Sequence, residues 1–213
     1  MQEEEKQNHS AGTPPERPKK HKKEKGKSLL ETMREIGYNK VLLSAEECLM
    51  AKSSIEKTNV MRLLDQKKVP YTPHTYPHGD DAVDGVTVAQ MTGMDPAKVF
   101  KTLVARGASK TPYVFVIPVA CELDLKKAAK AVGEKSVAML HVSELTPLTG
   151  YVRGGCSPVG MKKQFRTVFA AQALAQETIL VSAGKIGYQV ETAPQALIAL
   201  VRATTADLTI EES

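Results

Sequence analysis

The chain has 213 residues, with 42% hydrophobic, 5% aromatic and 25% charged residues, no tryptophan and a formal charge of +5. That length bounds the chain to one ordinary domain with an appendage, or two small ones, and no stretch reaches the roughly 20 apolar residues of a membrane span. Three widely spaced cysteines, Cys48, Cys121 and Cys156, make neither a disulfide framework nor a Cys-x-x-Cys zinc pair; with a start lacking a secretory apolar stretch, they imply a reducing, cytoplasmic setting.

Residues 1–27 carry eight Lys/Arg against five acids, contributing +3 of the net charge, with almost no apolar side chains. Ordering such a segment would bury nothing, so it reads as a disordered basic tail. Residues 28–55 read as a linker or helical appendage. The regular pattern starts at Glu56 and runs to Ser213.

In chain order, Val60, Leu63 and Leu64 fall at helical spacing, and that helix ends near Lys67-Lys68 before Pro70. Tyr71–Tyr76 reads as a strand that Pro73 confines to an edge. A short helix over Thr87–Met91 stops at Gly93, and Asp95-Pro96 caps another turn. Val99–Arg106, a turn at Gly107–Lys110, and Tyr113–Val119 make two strands. Asp124 caps a helix over Leu125–Val132 that ends at Gly133. Ser136–Leu140 is a strand, and Ser143 caps a further short helix. Thr178–Ser182 and Gly187–Glu191 form a hairpin around Ala183-Gly184-Lys185. Pro194 opens the last helix, through about Val201, and Asp207–Ile210 adds a closing strand. Short turns force antiparallel neighbours, so the expected fold is mixed α/β (α+β), with a mostly antiparallel sheet surrounded by helices rather than a doubly wound parallel one.

The densest chemistry lies in Thr149–Lys163, TGYVRGGCSPVGMKK, with four glycines and a proline in fifteen residues. Such a loop brings bare backbone close to a ligand, or is simply a tight turn. It matches neither a Walker loop nor a dinucleotide fingerprint, so nucleotide-triphosphate and dinucleotide chemistry fall away. Cys156-Ser157 offers nucleophiles, but His74, His78 and His141 complete no triad motif. His74 and His78 find no third ligand, so no metal site is expected. Lys101, flanked by Phe100 and Thr102 in an apolar run, either snorkels at an edge or points into a pocket. Lys126, Lys127, Lys130, Lys162, Lys163 and Arg166 are candidates for a basic rim.

Five segments taken together, HTYPH (His74–His78), VFKTLV (Val99–Val104), VIPVACELDLKKAAKAVG (Val116–Gly133), the glycine-rich loop and VSAGKIGYQVE (Val181–Glu191), resemble the YbaK/EbsC family. Its members are free-standing relatives of the editing domain of bacterial prolyl-tRNA synthetase. The resemblance covers residues 56–213. It implies a barrel-like sheet and a deacylase of mischarged aminoacyl-tRNA, Cys-tRNA(Pro) and Cys-tRNA(Cys) foremost, with Ala-tRNA(Pro) deacylation or simple acyl-ligand binding as alternatives. It implies no cofactor, tRNA as partner and prolyl-tRNA synthetase as a further candidate partner.

Carried over residue by residue, Lys101 matches a pocket lysine that contacts the tRNA 3′ end, and Tyr76 a pocket tyrosine. Gly150 matches a glycine that helps hold the aminoacyl ester, and Ser157 the serine of the loop. Lys101, Gly150 and Ser157 form the expected catalytic set. Tyr76, Thr102, Tyr151, Gly154 and Gly155 are expected to bind substrate, and Lys126, Lys162 and Lys163 to contact tRNA. Where some members carry an acid, this chain reads Phe169-Ala170-Ala171.

Overall fold

Local signals fix the helix ends. In the computed structural model, which describes residues 55–78 and 84–210, Thr58 caps α1 (Asn59–Gln66) by accepting from the Met61 amide. The Asp84 carboxylate accepts from the Val86 and Thr87 amides to start α2 (Gly85–Thr92), and the Asp124 carboxylate from the Lys126 and Lys127 amides to start α3 (Leu125–Val132). Gly93 and Gly133 close α2 and α3 in the left-handed region, where glycine carries no Cβ penalty. The expectations for residues 1–27 and for most of 28–55 lie outside the described residues. The described residues belong to the unit Ser54–Ser213.

Among the described residues, eight strands form two open sheets. β1 (Thr72–Thr75), β7 (Tyr188–Thr192) and β6 (Ile179–Ser182) make an antiparallel sheet of order β1-β7-β6. The other five are β2 (Phe100–Gly107), β3 (Pro112–Pro118), β4 (Val137–Met139), β5 (Arg166–Ala170) and β8 (Thr204–Ala206), in the order β4-β2-β3-β5-β8. Pairings within β4-β2-β3 are antiparallel, whereas β3–β5 and β5–β8 are parallel. Among the described residues neither sheet closes on itself, and the Val99–Leu180 bridge ties them together. The mostly antiparallel α/β expectation holds, and the barrel is replaced by two linked open sheets.

Side-chain alternation along β3 divides the core. Val114 and Val116 pack with Phe100, Val104 and Phe169 against α1, the smaller sheet and Leu197 of α5 (Pro194–Val201). Phe115 and Ile117 pack with Val168 and Ala170 on the opposite face, under Ala128, Ala129 and Val132 of α3. A strand covered on both faces reads as an unbroken apolar run, which describes Tyr113–Ile117 and Val168–Ala170.

Several local expectations shift. α4 spans Val142–Thr149 with His141 at its N-cap, and the Ser143 hydroxyl bonds the His141 ring instead of capping the helix. The closing strand is Thr204–Ala206, and Asp207–Ile210 adds the Leu123–Thr209 bridge and the buried Leu208 instead of a strand. No helix among the described residues is long and apolar enough to cross a membrane.

Candidate active site

β4 pairs with β2 only at Ala105–Gly107, and the Leu140 amide reaches the Val104 carbonyl just beyond. Among the described residues, the first half of β2 therefore has no ladder on that side, and a cavity of about 810 Å³ opens there. Its lining draws on the β1–β2 flanks, α2, the start of α4, the glycine-rich loop, and the facing strands β6 and β7. The volume lies within the usual range for small-ligand sites.

Lys101 stands on this open stretch. Its Nζ donates to the Val119 carbonyl at 3.2 Å and lies 3.6 Å from Glu122 Oε1. The Glu122 side chain is 81% exposed against 28% for Lys101, so water screens the pair and leaves much of the ammonium charge available to the cavity. Arg153 supplies a second cation to the lining, opposite in sign to Asp84 and Glu122.

Two buried polar atoms in the lining have no hydrogen-bond partner among the described residues: Thr102 Oγ1 and Gln189 Oε1. Gln189 is only 6% exposed. Strand register sets it beside Ser182, another lining residue. A buried polar group without a partner costs about 1–3 kcal/mol. A ligand that donates to Gln189 and bonds Thr102 would recover that cost. Sequence reading assigned Gln189 no role, because only its missing partner distinguishes it from an ordinary strand glutamine.

The expected site residues separate into groups. Lys101, Thr102, Tyr76 and Gly154 line the cavity. Tyr76 is buried, and its amide donates to the Gly187 carbonyl at 3.0 Å. Gly154 is exposed at φ +81°, presenting bare backbone on the wall. Gly155 is buried beneath it, where a Cβ would press on the Lys185–Ile186 backbone at 3.3–3.5 Å.

Gly150, Tyr151 and Ser157 are not in the lining. Gly150 ends α4 at φ +86°. The Tyr151 hydroxyl donates to the Val159 carbonyl at 2.6 Å, and the fully buried Ser157 hydroxyl accepts from the Val159 amide at 3.3 Å. Both therefore brace the loop from inside. Gly160, at φ +78°, lets the Tyr151 hydroxyl approach; a Cβ there would sit 2.8 Å from it.

Lys162 reaches the Thr146 carbonyl at 3.5 Å, Lys163 faces a second, smaller groove, and Lys126 is exposed in the first turn of α3. Ala170 is fully buried on the α3 side of the large sheet and is absent from the cavity lining. No cluster of three or more His, Cys, Asp or Glu that could hold a metal ion occurs among the described residues.

Burial pushes the Cys156 thiol up from 9.0 to about 12, and burial with the neighbouring Cys156 charge does the same to Tyr151. At neutral pH only about one Cys156 in 10⁵ is a thiolate, too few for an activated nucleophile. Cys156→Ala trims one side chain of the cavity wall without removing an activated nucleophile, so mass spectrometry of quenched wild type should show no acyl-enzyme on Cys156. The substitution should also change alkaline stability. The unfolded thiol releases its proton near 9.0 while the folded one holds it to about 12, so the folded state loses stability as pH rises through that window. The loss reaches about 4 kcal/mol at the top of it. Melting temperatures between about pH 8 and 11 should fall more steeply for wild type than for Cys156→Ala.

The open edge of β2, the lysine on it and the glycine-rich wall bound one cavity. A model of the aminoacyl-tRNA editing domain matches residues 80–200. The chain is 47% identical over 161 residues to "Putative Cys-tRNA(Pro)/Cys-tRNA(Cys) deacylase EbsC" of Enterococcus faecalis (strain ATCC 700802 / V583), covering 76% of this chain and 98% of that one. It is also similar to the crystal structure of "a putative trans-editing enzyme for prolyl tRNA synthetase", at 23% identity and a TM-score of 0.62, over 73% of this chain and 100% of the other. The "hypothetical protein APE2540" matches at 22% identity and a TM-score of 0.64, over 73% and 100%. These last two likenesses concern the fold, and the match to the domain model and to the 47% identical relative carries the assignment: the chain belongs to the aminoacyl-tRNA editing domain family.

Proposed function

We propose that this chain hydrolyses the ester of mischarged aminoacyl-tRNA in the cytoplasm, with Cys-tRNA(Pro) and Cys-tRNA(Cys) as its substrates. The observation that carries the reading is the cavity along the stretch of β2 that β4 leaves open, whose lining holds Lys101 together with the orphaned Thr102 and Gln189. The deacylase name of the 47% identical relative supports it.

An aminoacyl ester is already activated, so the protein's task is to position it and to stabilise developing charge. In this reading Lys101 meets the terminal phosphate or ribose. Gln189 Oε1 accepts from the substrate's ammonium group, and Thr102 bonds a neighbouring polar atom. Gly154 leaves room for the ester at the wall. Tyr76 closes the β1 side. Gly150, Gly155, Tyr151 and Ser157 act behind the wall, holding the loop in shape. Lys162, Lys163 and Lys126 contribute positive charge toward the RNA.

With a cysteinyl ester the substrate's own thiol attacks. The sulfur forms a bond to the carbonyl carbon, the carbon–ribose-oxygen bond breaks, and the thiol proton passes to the departing ribose hydroxyl. The cyclic thioester then hydrolyses. No protein nucleophile enters, in keeping with the protonated Cys156. Such editing serves a synthetase whose pocket separates small side chains by only about 10- to 200-fold, and prolyl-tRNA synthetase is the proposed partner.

The test is a panel of Cys-tRNA(Pro), Cys-tRNA(Cys), Ala-tRNA(Pro) and Pro-tRNA(Pro), followed for loss of the radiolabelled ester. Rapid loss of the cysteinyl species with Pro-tRNA(Pro) spared is expected. Tight binding of all four without turnover would make the protein a binding module and end the deacylase reading.

A further inference from the structure

A second groove, of about 270 Å³, lies on the far side of the glycine-rich loop. It opens where the C-terminal ends of α1 and α5 meet residues 158–165. Lys67, Lys163 and Arg202 line it with no carboxylate among the lining residues. All three are exposed, and none of their side chains has a hydrogen bond or ion pair among the described residues. Elsewhere on the surface, Lys57, Lys185, Arg106 and Lys127 each meet an acid.

Cations at helix C-termini offset the helix dipole, which favours the charges of Lys67 and Arg202, the C-cap residues of α1 and α5, but not that of Lys163 in the loop. The dipole does not account for the backbone conformation of Arg202. This residue occupies the left-handed region, φ 53° and ψ 42°, at the C-cap of α5. Glycine or asparagine satisfies that position at lower cost; an ordinary side chain there costs on the order of 1 kcal/mol. The backbone work of the cap, donation from the Arg202 amide to Ala199, needs no arginine side chain. A strained residue whose guanidinium engages nothing among the described residues is suited to an external anion.

The floor is apolar, with Met161, Phe165 and Leu200 half-buried in the groove. Cations around an apolar floor fit a nucleic-acid strand, in which phosphates alternate with ribose and base surfaces. The groove also shares its loop with the cavity: Gly154 and Cys156 wall one, and residues 158–161 with 163 and 164 wall the other.

We infer that this groove seats the phosphate backbone of the RNA whose aminoacylated end occupies the cavity, with Lys67, Lys163 and Arg202 as its phosphate contacts. This rests on the aminoacyl-tRNA reading above. It adds Lys67 and Arg202 to the RNA-binding set and shifts its weight away from Lys126 on α3.

The experiment is the full-length double variant Lys67→Gln/Arg202→Asn. Asparagine tolerates the left-handed conformation, so the variant should melt no lower than wild type. Binding of uncharged tRNA(Pro) is measured across a salt series, and deacylation of Cys-tRNA(Pro) under steady state. The dissociation constant should rise about tenfold, and the slope of log K against log salt should flatten by about 1.5, as expected for two lost phosphate contacts. KM should rise with kcat unchanged, and Lys67→Arg should keep the wild-type slope. An unchanged affinity and slope in the double variant overturns the groove, whatever the turnover, and would leave it to an acidic protein partner. Failure of wild type to bind tRNA overturns it too. If wild type binds tRNA through this groove yet cleaves no mischarged species, the groove stands and the deacylase reading falls.

Discussion

Lys101→Met lowers kcat/KM for Cys-tRNA(Pro) by about 10²- to 10³-fold, the loss seen when one preorganised charge-stabilising donor is removed from an active site. Methionine keeps the apolar stem of lysine and deletes the ammonium. Folding should survive, because the ammonium gives up one hydrogen bond to Val119 and a solvent-screened approach to Glu122; together these contribute about 1 kcal/mol. The Phe100–Pro118 to Arg106–Pro112 ladder that holds β2 in place does not involve the side chain. Circular dichroism and melting should therefore match wild type within a few degrees while turnover collapses. Wild-type turnover in Lys101→Met would remove this lysine from the mechanism.

Gln189→Leu should move stability and activity in opposite directions. Leucine fills a similar volume and removes the orphaned Oε1, so the variant is expected to gain about 1 kcal/mol in denaturant unfolding. The same change deletes the acceptor proposed for the substrate's ammonium group, and kcat/KM should fall about 10- to 100-fold, the equivalent of one hydrogen bond to a charged group. Gln189→Glu, which keeps an acceptor at the same reach, should retain more activity than Gln189→Leu. A glutamine serving only to hold β7 would behave otherwise: its loss would destabilise the fold, and activity would follow stability. The divergence of the two readouts is the signature of a group strained for binding.

Some of this was legible in the sequence. Asp124 and Gly133 bracket α3 because a carboxylate that accepts two amide hydrogens and a glycine that accepts φ +78° are local requirements. The β6–β7 hairpin announced itself through Ala183-Gly184-Lys185. β5 did not. Its Thr167–Ala170 stretch is buried on both faces and lacks the alternation that marks a half-exposed strand. Its parallel pairing with β3 comes from a segment about fifty residues away, which no window of periodicity can sense. The barrel expectation came from the family resemblance, whereas local patterning says nothing about whether two sheets close.

The site divided along the same line. Lys101 in VFKTLV and the glycine-rich loop stood out by residue type. Composition could not tell that Gly154 faces the cavity while Ser157, a little further along the loop, faces the core. Nor could it show Gln189 or Arg202, whose interest lies in partners they lack and in a backbone angle. Arg153, a lining cation from the same loop, was hidden for a related reason: an arginine between valine and glycine looks like any solvated surface residue.

The pairing of β1 with β7 has a consequence for how the protein comes to be active. His74 and Glu191, joined across that ladder at 2.9 Å, are 117 residues apart in the chain. During synthesis, the stretch carrying Tyr76 therefore has no strand to lie on until nearly the whole domain has left the ribosome. Contacts of such long range make folding slow compared with local hairpins and helices. The cavity draws on Tyr76, Lys101 and Gln189 together, so a nascent chain that stops short of β7 lacks both the strand on which β1 lies and the Gln189 wall of the pocket.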